Sequence, residues 1–400
     1  MHPLSIACAA FAVWLGFRFQ FRSPLRGKEN LPSYDVRRGI DLWIDSQWNG
    51  SLFDLHNHFD PFLLPLVKEA PLGHSLDTFE FAYYNDRAFA YGAHPQVEPK
   101  PAYSIARGMR SSYFVEQIRS GKLVYASTSS DGLPHAFAKA FAKLRAQLVD
   151  ALGAEKDTHI SCNLWMGAKG TRAAYHYDTS RNAFLQLGGS KRFYLAEFDV
   201  FDAGDFFPSL HPRYRQPKDY PLKSRVQEVV LHPGDVLLLP PYVLHSVESV
   251  APSVSYNCWA DSEAYIASET IFKTALPFED SWPSSKKKRA AIAFSNHIVQ
   301  GVFWINGSSA NEWIRQNVAA KFRGVVDTPK DASVCGEQVV SNLACIIATR
   351  AAAVARMFRD SISDSSIRAT YLSIYIESVA LWAVEYDVER VSAFAESCFE

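Results

Sequence analysis

Short segments with a strand-like alternation of side chains, separated by glycine and proline turns, fill residues 159–259 of this 400-residue chain. Between residues 159 and 167 the even-numbered side chains are apolar, a period of two that is typical of a strand with one buried face. Similar segments lie at 184–187, 191–195, 226–231, 236–239 and 253–259. The pattern predicts a closed or sandwiched all-β core of the jelly-roll type, with a hairpin turning at residues 188–189.

Two histidines and one aspartate within these segments are candidate metal ligands. His176 and Asp178 form a His-x-Asp pair near a predicted strand end, and His245 follows where the chain returns across the barrel. Two imidazoles and a carboxylate on one face of a metal leave the opposite face open, which is the ligand set of mononuclear non-haem Fe(II) oxygenases. A His-x-Asp pair alone is more often an ordinary polar turn, so the surrounding residues decide the interpretation.

The surrounding residues follow the motif of a known family. In chain order they are His176, Asp178, Asn182, Gln186, Gly189 and Lys191, then Pro233, Gly234, Asp235, His245, Asn257 and Trp259. This order resembles the JmjC/cupin-type Fe(II)- and 2-oxoglutarate-dependent oxygenases and is most similar to hydroxylases of the factor-inhibiting-HIF type. The resemblance covers residues 120–262, and it implies a cupin barrel that uses Fe(II), 2-oxoglutarate as co-substrate and O2.

The resemblance also implies a role for individual residues. The iron ligands would be His176, Asp178 and His245, and Lys191 would pair with the distal carboxylate of 2-oxoglutarate. The other residues implied to contact the co-substrate are Asn182, Asn257, Tyr125 and Thr171. The family often has a threonine three residues before the first ligand, whereas this chain has Ala173 there, so co-substrate binding would differ in detail.

Lys191 supports this interpretation on physical grounds as well. An ammonium on an inward-facing strand requires an anion, because burial of an unpaired charge disfavours the charged form. The predicted hairpin contains no acid, so an oxo acid would supply the negative charge. Each residue also has an ordinary structural explanation: Lys191 as a solvated strand residue, Asn182 as a cap, Asn257 as a core amide and Tyr125 as core packing.

The chain divides into four predicted regions. They are a leader at 1–28, a mixed N-terminal region at 29–119, a JmjC/cupin-like barrel at 120–262 and a helical region at 263–400. The fold class is a mainly β core, a double-stranded β-helix of the cupin or jelly-roll kind, with helical additions at both ends. Helices are predicted at 111–120, 134–152, 263–276, 290–305, 310–322, 338–358 and 367–394. The C-terminal helices would form either a homodimer interface or a lid over one barrel edge.

The sequence of residues 1–28 is typical of a targeting segment rather than of a folded domain. Residues 4–17 are uncharged and largely apolar, which is the length of a signal-peptide core and short for a membrane span. Arg18, Arg22, Arg26 and Lys28 follow this run before the first acid, an order that also fits an organellar transit segment. We expect a secretory or membrane-associated location, with the leader acting either as a signal peptide or as an N-terminal anchor, and the alternative is an organellar or cytoplasmic location.

The net charge and the cysteine spacing indicate which kinds of partner and metal site the chain is expected to lack. The net charge of −1 provides no electrostatic footprint for nucleic acid, and the basic run at 286–289 is predicted to be a solvated face. The six cysteines lack the spacing of a zinc cluster. One disulfide among Cys335, Cys345 and Cys398 is expected in an oxidising compartment, whereas Cys162 and Cys258 could equally be buried thiols.

Together these features predict an Fe(II)- and 2-oxoglutarate-dependent dioxygenase that hydroxylates a side chain of a protein or peptide. JmjC-type lysine demethylation is the less favoured reaction, because no zinc module of the histone-reading kind accompanies the barrel. The remaining alternatives are a non-catalytic cupin-like binding protein and another metal-dependent cupin enzyme. The loops at 83–113 and 199–220 would select the substrate, and the predicted pocket walls are Trp165, Trp259, Phe184 and Tyr177.

Overall fold

The computed structural model describes most of the chain from residue 104 onward. The described residues are 35–38, 63–64, 66–70, 104–130, 135–155, 157–196, 202–209, 211, 213–219, 225–274, 276, 278–325, 341–385 and 388–398. The leader at 1–28, most of the mixed region at 29–119, part of the loop at 83–113 and Cys335 lie outside them.

The described residues form the following strands and helices. The strands are β1 Asp35–Arg38, β2 Leu63–Leu64, β3 Leu66–Ala70, β4 Ser104–Ala106, β5 Met109–Arg110, β6 Leu123–Ser129, β7 Ile160–Gly167, β8 Arg172–Tyr177, β9 Ser180–Gly188, β10 Lys191–Ala196, β11 Gln227–Leu231, β12 Asp235–Leu239, β13 Leu244–Ser249 and β14 Ser253–Asp261. The helices are α1 Ser111–Arg119, α2 His135–Ala151, α3 Glu263–Phe272, α4 Ser284–Phe303, α5 Gly307–Asn317, α6 Ser341–Ser361, α7 Ser365–Ala383 and α8 Val388–Ser397. Two 3-10 turns lie at Ala203–Asp205 and Ala319–Phe322.

Two antiparallel sheets build the core. The larger has the strand order β1-β12-β9-β14-β7-β6-β3-β4, and the smaller has the order β11-β10-β13-β8. Apolar side chains from both sheets, including Phe184 of β9 and Phe193 of β10, form one cluster between them. Polar side chains two residues away from these phenylalanines face the same interior, because successive residues of a strand point to opposite sides. The predicted mainly β cupin fold with C-terminal helices is therefore confirmed.

The predicted hairpin at residues 184–195 is wrong. β9 pairs with β12 and β14, whereas β10 pairs with β11 and β13, so the two strands belong to different sheets. The chain crosses between the sheets at Gly189, which has φ +64°. A Cβ added there would lie 2.0 Å from the carbonyl oxygen of Pro252, so the close approach of the backbone requires glycine. The turn residues mark a crossover rather than a two-stranded ribbon.

Helices cover the outer faces of the two sheets. α2 places Phe141, Leu144 and Leu148 against the outer side of the larger sheet, as its amphipathic sequence predicts. The C-terminal helices pack on the outer side of the smaller sheet, where Tyr177 and Leu244 join a cluster with residues of α4, α6 and α7. The site between the sheets is thus supported by a helical layer on each side.

The C-terminal region departs from the predicted pattern at two points. The segment predicted as one helix at 367–394 is two helices, because Glu385 adopts a left-handed φ of 61° after α7 ends. The basic run at 286–289 is not wholly solvated, since Lys287 is buried and its Nζ lies 5.3 Å from the ring centre of Trp382. Its ammonium is also 3.9 Å from Glu385 Oε1. The buried Lys287 therefore lies next to the residue at which the predicted helix is interrupted.

Cys162 and Cys258 are disulfide-bonded rather than free thiols. They lie directly opposite each other on β7 and β14, with Cα atoms 4.1 Å apart. Cys398 is also disulfide-bonded, and Cys345 is an exposed free thiol. Among the described residues no helix is both long and apolar enough to cross a membrane.

Candidate metal centre

The three predicted ligands converge at one end of the barrel interior. His176 on β8 and His245 on β13 are direct partners in the smaller sheet, and Asp178 follows the end of β8. One potential ligand atom from each of the three side chains lies within 4.8 Å of the other two, and all three are buried. His-x-Asp places the first two on the same face because a strand has a period of two. This donor set and spacing fit a single metal ion with one open face.

Backbone contacts orient both imidazoles. His176 Nδ1 lies 2.8 Å from the carbonyl oxygen of Ala174, and His245 Nδ1 lies 2.9 Å from that of Val243. A carbonyl can only accept, so Nδ1 is the donor in each ring and Nε2 is left as the atom that can bind a metal. Burial, followed by the neighbouring His245, lowers the pKa of His176 to about 4. His176 is therefore neutral at physiological pH, as a metal ligand must be.

Asp178 is held by contacts on both carboxylate oxygens. Its Oδ2 accepts a hydrogen bond from Trp259 Nε1 at 2.9 Å and lies 3.8 Å from His245 Nε2. Its Oδ1 lies 3.8 Å from the guanidinium of Arg215. Burial alone would raise the pKa of this carboxyl, but the adjacent imidazoles, Arg215 and the Trp259 N–H lower it overall. Asp178 is therefore ionised at neutral pH.

Lys191 reaches across the interior from the smaller sheet. It is 2% exposed, and its ammonium donates to Ser255 Oγ on β14 at 2.9 Å. The ring centres of Phe184 and Tyr125 lie 5.3 and 5.7 Å from Nζ. Burial lowers the pKa of Lys191 to about 7, and no charged group of the described chain offsets this. Among the residues that the structure describes, no carboxylate pairs with the Lys191 ammonium inside the barrel.

The two predicted amides lie beside the ligands and are linked in one chain. Trp165 Nε1 donates to Asn257 Oδ1 at 2.6 Å, and Asn257 Nδ2 donates to Asn182 Oδ1 at 2.9 Å. Asn182 Nδ2 then lies 3.5 Å from Asp178 Oδ2. The three contacts form a continuous chain of hydrogen bonds from Trp165 to Asp178. The amides can therefore orient the Asp178 carboxylate as well as line a pocket.

Tyr125 and Thr171 occupy different surroundings. Tyr125 on β6 is half-buried, and its ring centre is 5.7 Å from that of Trp165. Thr171 lies in the turn between β7 and β8, where its hydroxyl donates to the carbonyl of Ala168 at 2.9 Å and lies 3.1 Å from Ser249 Oγ. Tyr125 is therefore placed beside Lys191, whereas the contacts of Thr171 stabilise the turn.

Three of the four predicted wall residues face the site. Trp165 and Trp259 meet edge to face with ring centres 6.0 Å apart, and Phe184 lies near the Lys191 ammonium. Tyr177 does not face the site, because it stands between His176 and Asp178 in the sequence and points the opposite way. Its ring packs edge-on to Phe206, 5.2 Å away, beneath the C-terminal helices. The assignment of Tyr177 to the pocket wall is therefore wrong.

Two site residues were not singled out from the sequence. Arg215 lies in the loop at 199–220, donates to the hydroxyl of Tyr214 at 2.7 Å and reaches Asp178 from there. No local pattern marks it, because the loop has no periodicity. Ser255 could have been found, since the alternation in β14 places it on the same side as Asn257.

The loop that carries Arg215 is fixed to the helical region. Glu377 of α7 accepts a hydrogen bond from the Ser209 N–H at 2.7 Å, and its other oxygen is 2.5 Å from Lys321 Nζ. Both charged side chains are almost completely buried. The paired charges satisfy each other and hold the loop against the helices.

Comparisons with known proteins identify the barrel. The family described as Cupin-like domain matches residues 103–264. Jumonji C domain-containing protein 5 of Drosophila melanogaster is 33% identical over 112 residues, covering 25% of this chain and 27% of that protein. Lysine-specific demethylase 8 of Xenopus tropicalis is 27% identical over 120 residues, covering 27% of each. The aligned part spans about a quarter of the length of these curated relatives.

The similarity of this chain to solved structures is lower. YcfD, described as a ribosomal oxygenase from Escherichia coli in complex with cobalt and 2-oxoglutarate, is 12% identical with a TM-score of 0.31. The match covers 63% of this chain and 57% of YcfD. The narrower likeness to factor-inhibiting-HIF-type hydroxylases stays a prediction. The matched segment and the two-sheet barrel with its His-Asp-His centre together establish that residues 103–264 form a cupin-like domain, and the chain is similar to JmjC domain-containing proteins.

Proposed function

We propose that this protein is an Fe(II)- and 2-oxoglutarate-dependent oxygenase that hydroxylates a side chain of a protein or peptide. Lys191 is the observation that carries the proposal. Its buried ammonium shares the barrel interior with the His-Asp-His centre and has an uncompensated charge in the described part of the chain. A dicarboxylic oxo acid matches both features, because one end can bind a metal while the other neutralises Lys191.

Each residue of the metal centre and its surroundings would have a separate role in this reaction. His176, Asp178 and His245 would hold Fe(II), which would supply the reaction of O2 with 2-oxoglutarate that yields succinate, CO2 and a hydroxylated substrate. Lys191 orients the co-substrate by binding its distal carboxylate, so that the oxo acid end points towards the three ligands. Trp165 would line this space, where its Nε1 donates to Asn257.

Release of labelled CO2 tests the proposal against its alternatives. The experiment incubates the full chain anaerobically with Fe(II) and 2-oxoglutarate labelled at C1, and then admits O2. We expect CO2 release that requires both Fe(II) and O2, with succinate formed in equal amount. A non-catalytic cupin-like binding protein would bind metal without release, and a different metal-dependent cupin enzyme would not consume 2-oxoglutarate. Either result would overturn the proposal.

Lysine demethylation is the second candidate, and the similarity to a protein named lysine-specific demethylase 8 favours it. The two reactions leave different products on a peptide. Hydroxylation adds one oxygen atom that is retained, whereas demethylation removes a methyl group and releases formaldehyde. Mass spectrometry of peptides treated with the active enzyme distinguishes the two, and formaldehyde without a retained oxygen would replace the hydroxylase proposal.

Co-substrate affinity should depend on pH because of Lys191. Burial lowers the pKa of Lys191 to about 7, so above that pH the amine is mostly neutral. A bound carboxylate favours the ammonium and raises this pKa, which means that binding takes up a proton. We expect affinity for 2-oxoglutarate to fall by up to about tenfold for each pH unit above about 7. Anaerobic calorimetric titrations on both sides of neutrality would measure it, and a flat profile would contradict the predicted contact.

A further inference from the structure

The turn that leads into the third metal ligand has an unusual backbone. Tyr242 lies between β12 and β13, three residues before His245, and has a φ of 67°. This left-handed region is unfavourable for residues other than glycine, so surrounding contacts must hold Tyr242 there. Its backbone N–H donates to the carbonyl oxygen of Asp178 at 2.8 Å. The turn is thereby tied directly to the second metal ligand.

A side-chain contact holds the same residue from outside the barrel. The hydroxyl of Tyr242 lies 2.7 Å from the hydroxyl of Tyr371 on α7, and the two rings meet edge to face. A weaker contact of 3.4 Å joins Tyr242 to Ser262, whose own hydroxyl donates to the carbonyl of Thr179. Both tyrosines are buried, and burial raises the pKa of each, so both keep their protons at neutral pH.

We propose that Tyr371 is a positioning residue, which holds the strained turn at Tyr242 and thereby the placement of His245 relative to Asp178. The C-terminal helices would then be part of the metal centre's support rather than only a cover for the barrel. The proposal rests on the metal site of the proposed function, but it concerns the geometry of the ligands and not turnover.

Two variants and one matched control test the contact. Tyr371→Phe and Tyr242→Phe each remove one hydroxyl of the pair and preserve the ring. Tyr375→Phe makes the same change on the same helix, at a buried hydroxyl for which the described residues offer no hydrogen-bond partner. The probe is Co(II) alone, titrated anaerobically into the full chain and followed by its visible absorption.

We expect Tyr371→Phe and Tyr242→Phe to weaken Co(II) binding by about threefold to tenfold, the effect of losing one buried hydrogen bond. The double variant should lose less affinity than the sum of the two single effects, because the two changes have one contact in common. Backbone hydrogen exchange of peptides covering residues 240–246 should also accelerate in both variants. Tyr375→Phe should change neither the affinity nor the exchange.

A purely structural role for Tyr371 predicts a different pattern. Tyr371→Phe would then lower the unfolding temperature while Co(II) affinity and exchange at 240–246 stayed at wild-type values, and this result would overturn the proposal. Failure of the proposed function is distinguishable. If wild-type protein binds Co(II) but releases no CO2, only the reaction is wrong; if it binds no Co(II), the metal site is wrong and the exchange comparison still decides the role of Tyr371.

Discussion

His176→Ala is expected to abolish Fe(II)-dependent decarboxylation of 2-oxoglutarate while leaving the barrel folded. His176 contributes one of three ligands, and its Nδ1 contact is to the carbonyl of Ala174, which remains in the strand. Metal affinity should fall by more than about 100-fold, beyond the effect of changing a residue that only supports a ligand. Anaerobic Co(II) titration and labelled CO2 release would measure both effects.

The control for this variant is His159→Ala, which removes an exposed histidine at the edge of the same barrel. It should bind Co(II) and release CO2 like the wild type. Asp178→Ala should have the same effect on metal binding as His176→Ala, but it also removes the carboxylate beside the half-buried Arg215 and should therefore lower the free energy of unfolding as well. Full turnover in a folded His176→Ala protein would refute the metal centre.

Lys191→Met is expected to separate co-substrate binding from metal binding. Loss of a charge-assisted contact costs about 1.5–3 kcal/mol, so affinity for 2-oxoglutarate should fall by at least about tenfold. Co(II) affinity should hardly change, because Lys191 contacts Ser255 rather than a metal ligand. The free energy of unfolding without 2-oxoglutarate should rise, since methionine fills a similar volume without a buried charge. Anaerobic titration with 2-oxoglutarate and urea denaturation would measure these changes.

Arg192→Met is the matched control, because Arg192 is the next residue of β10 and points to the outer face towards Glu228. It should leave the affinity for 2-oxoglutarate unchanged. If Lys191→Met also leaves the titration midpoint unchanged, the co-substrate assignment fails, and a cupin with another ligand becomes the better explanation. The affinity of Lys191→Met should also be independent of pH near neutrality, in contrast to wild type.

Local sequence patterns predicted the strands better than their partners. The alternation in β7 and β14 correctly separates residues that face the site, such as Asn257, from residues on the opposite, helix-covered face, such as Cys258, because the period of a strand is a local property. The hairpin prediction failed because a glycine turn permits either an adjacent strand or a crossover to another sheet. That choice depends on distant strands, here β12 and β13, which no short window contains.

In the candidate site, too, residues marked by local sequence order could be predicted, whereas residues positioned by distant segments could not. The His-Asp-His set and Lys191 could be located from residue order, and the structure brings the three ligands together. Arg215 could not be predicted, because it is positioned by a loop whose anchor, Glu377, lies 168 residues away from Ser209 in the sequence. The inward placement assigned to Tyr177 overlooked the two-residue period of its own strand, a correction that the sequence already contained.

The Cys162–Cys258 bond has a consequence for the integrity of the centre. The two cysteines are 96 residues apart, and His176, Asp178, Lys191 and His245 all lie between them. The bond therefore encloses the metal ligands in one covalent ring, which restricts the unfolded chain by roughly 4 to 5 kcal/mol. A protease that cuts once inside this ring opens it without separating its halves. A chain nicked between β10 and β11 would keep all its ligands in a single molecule until a reductant released them.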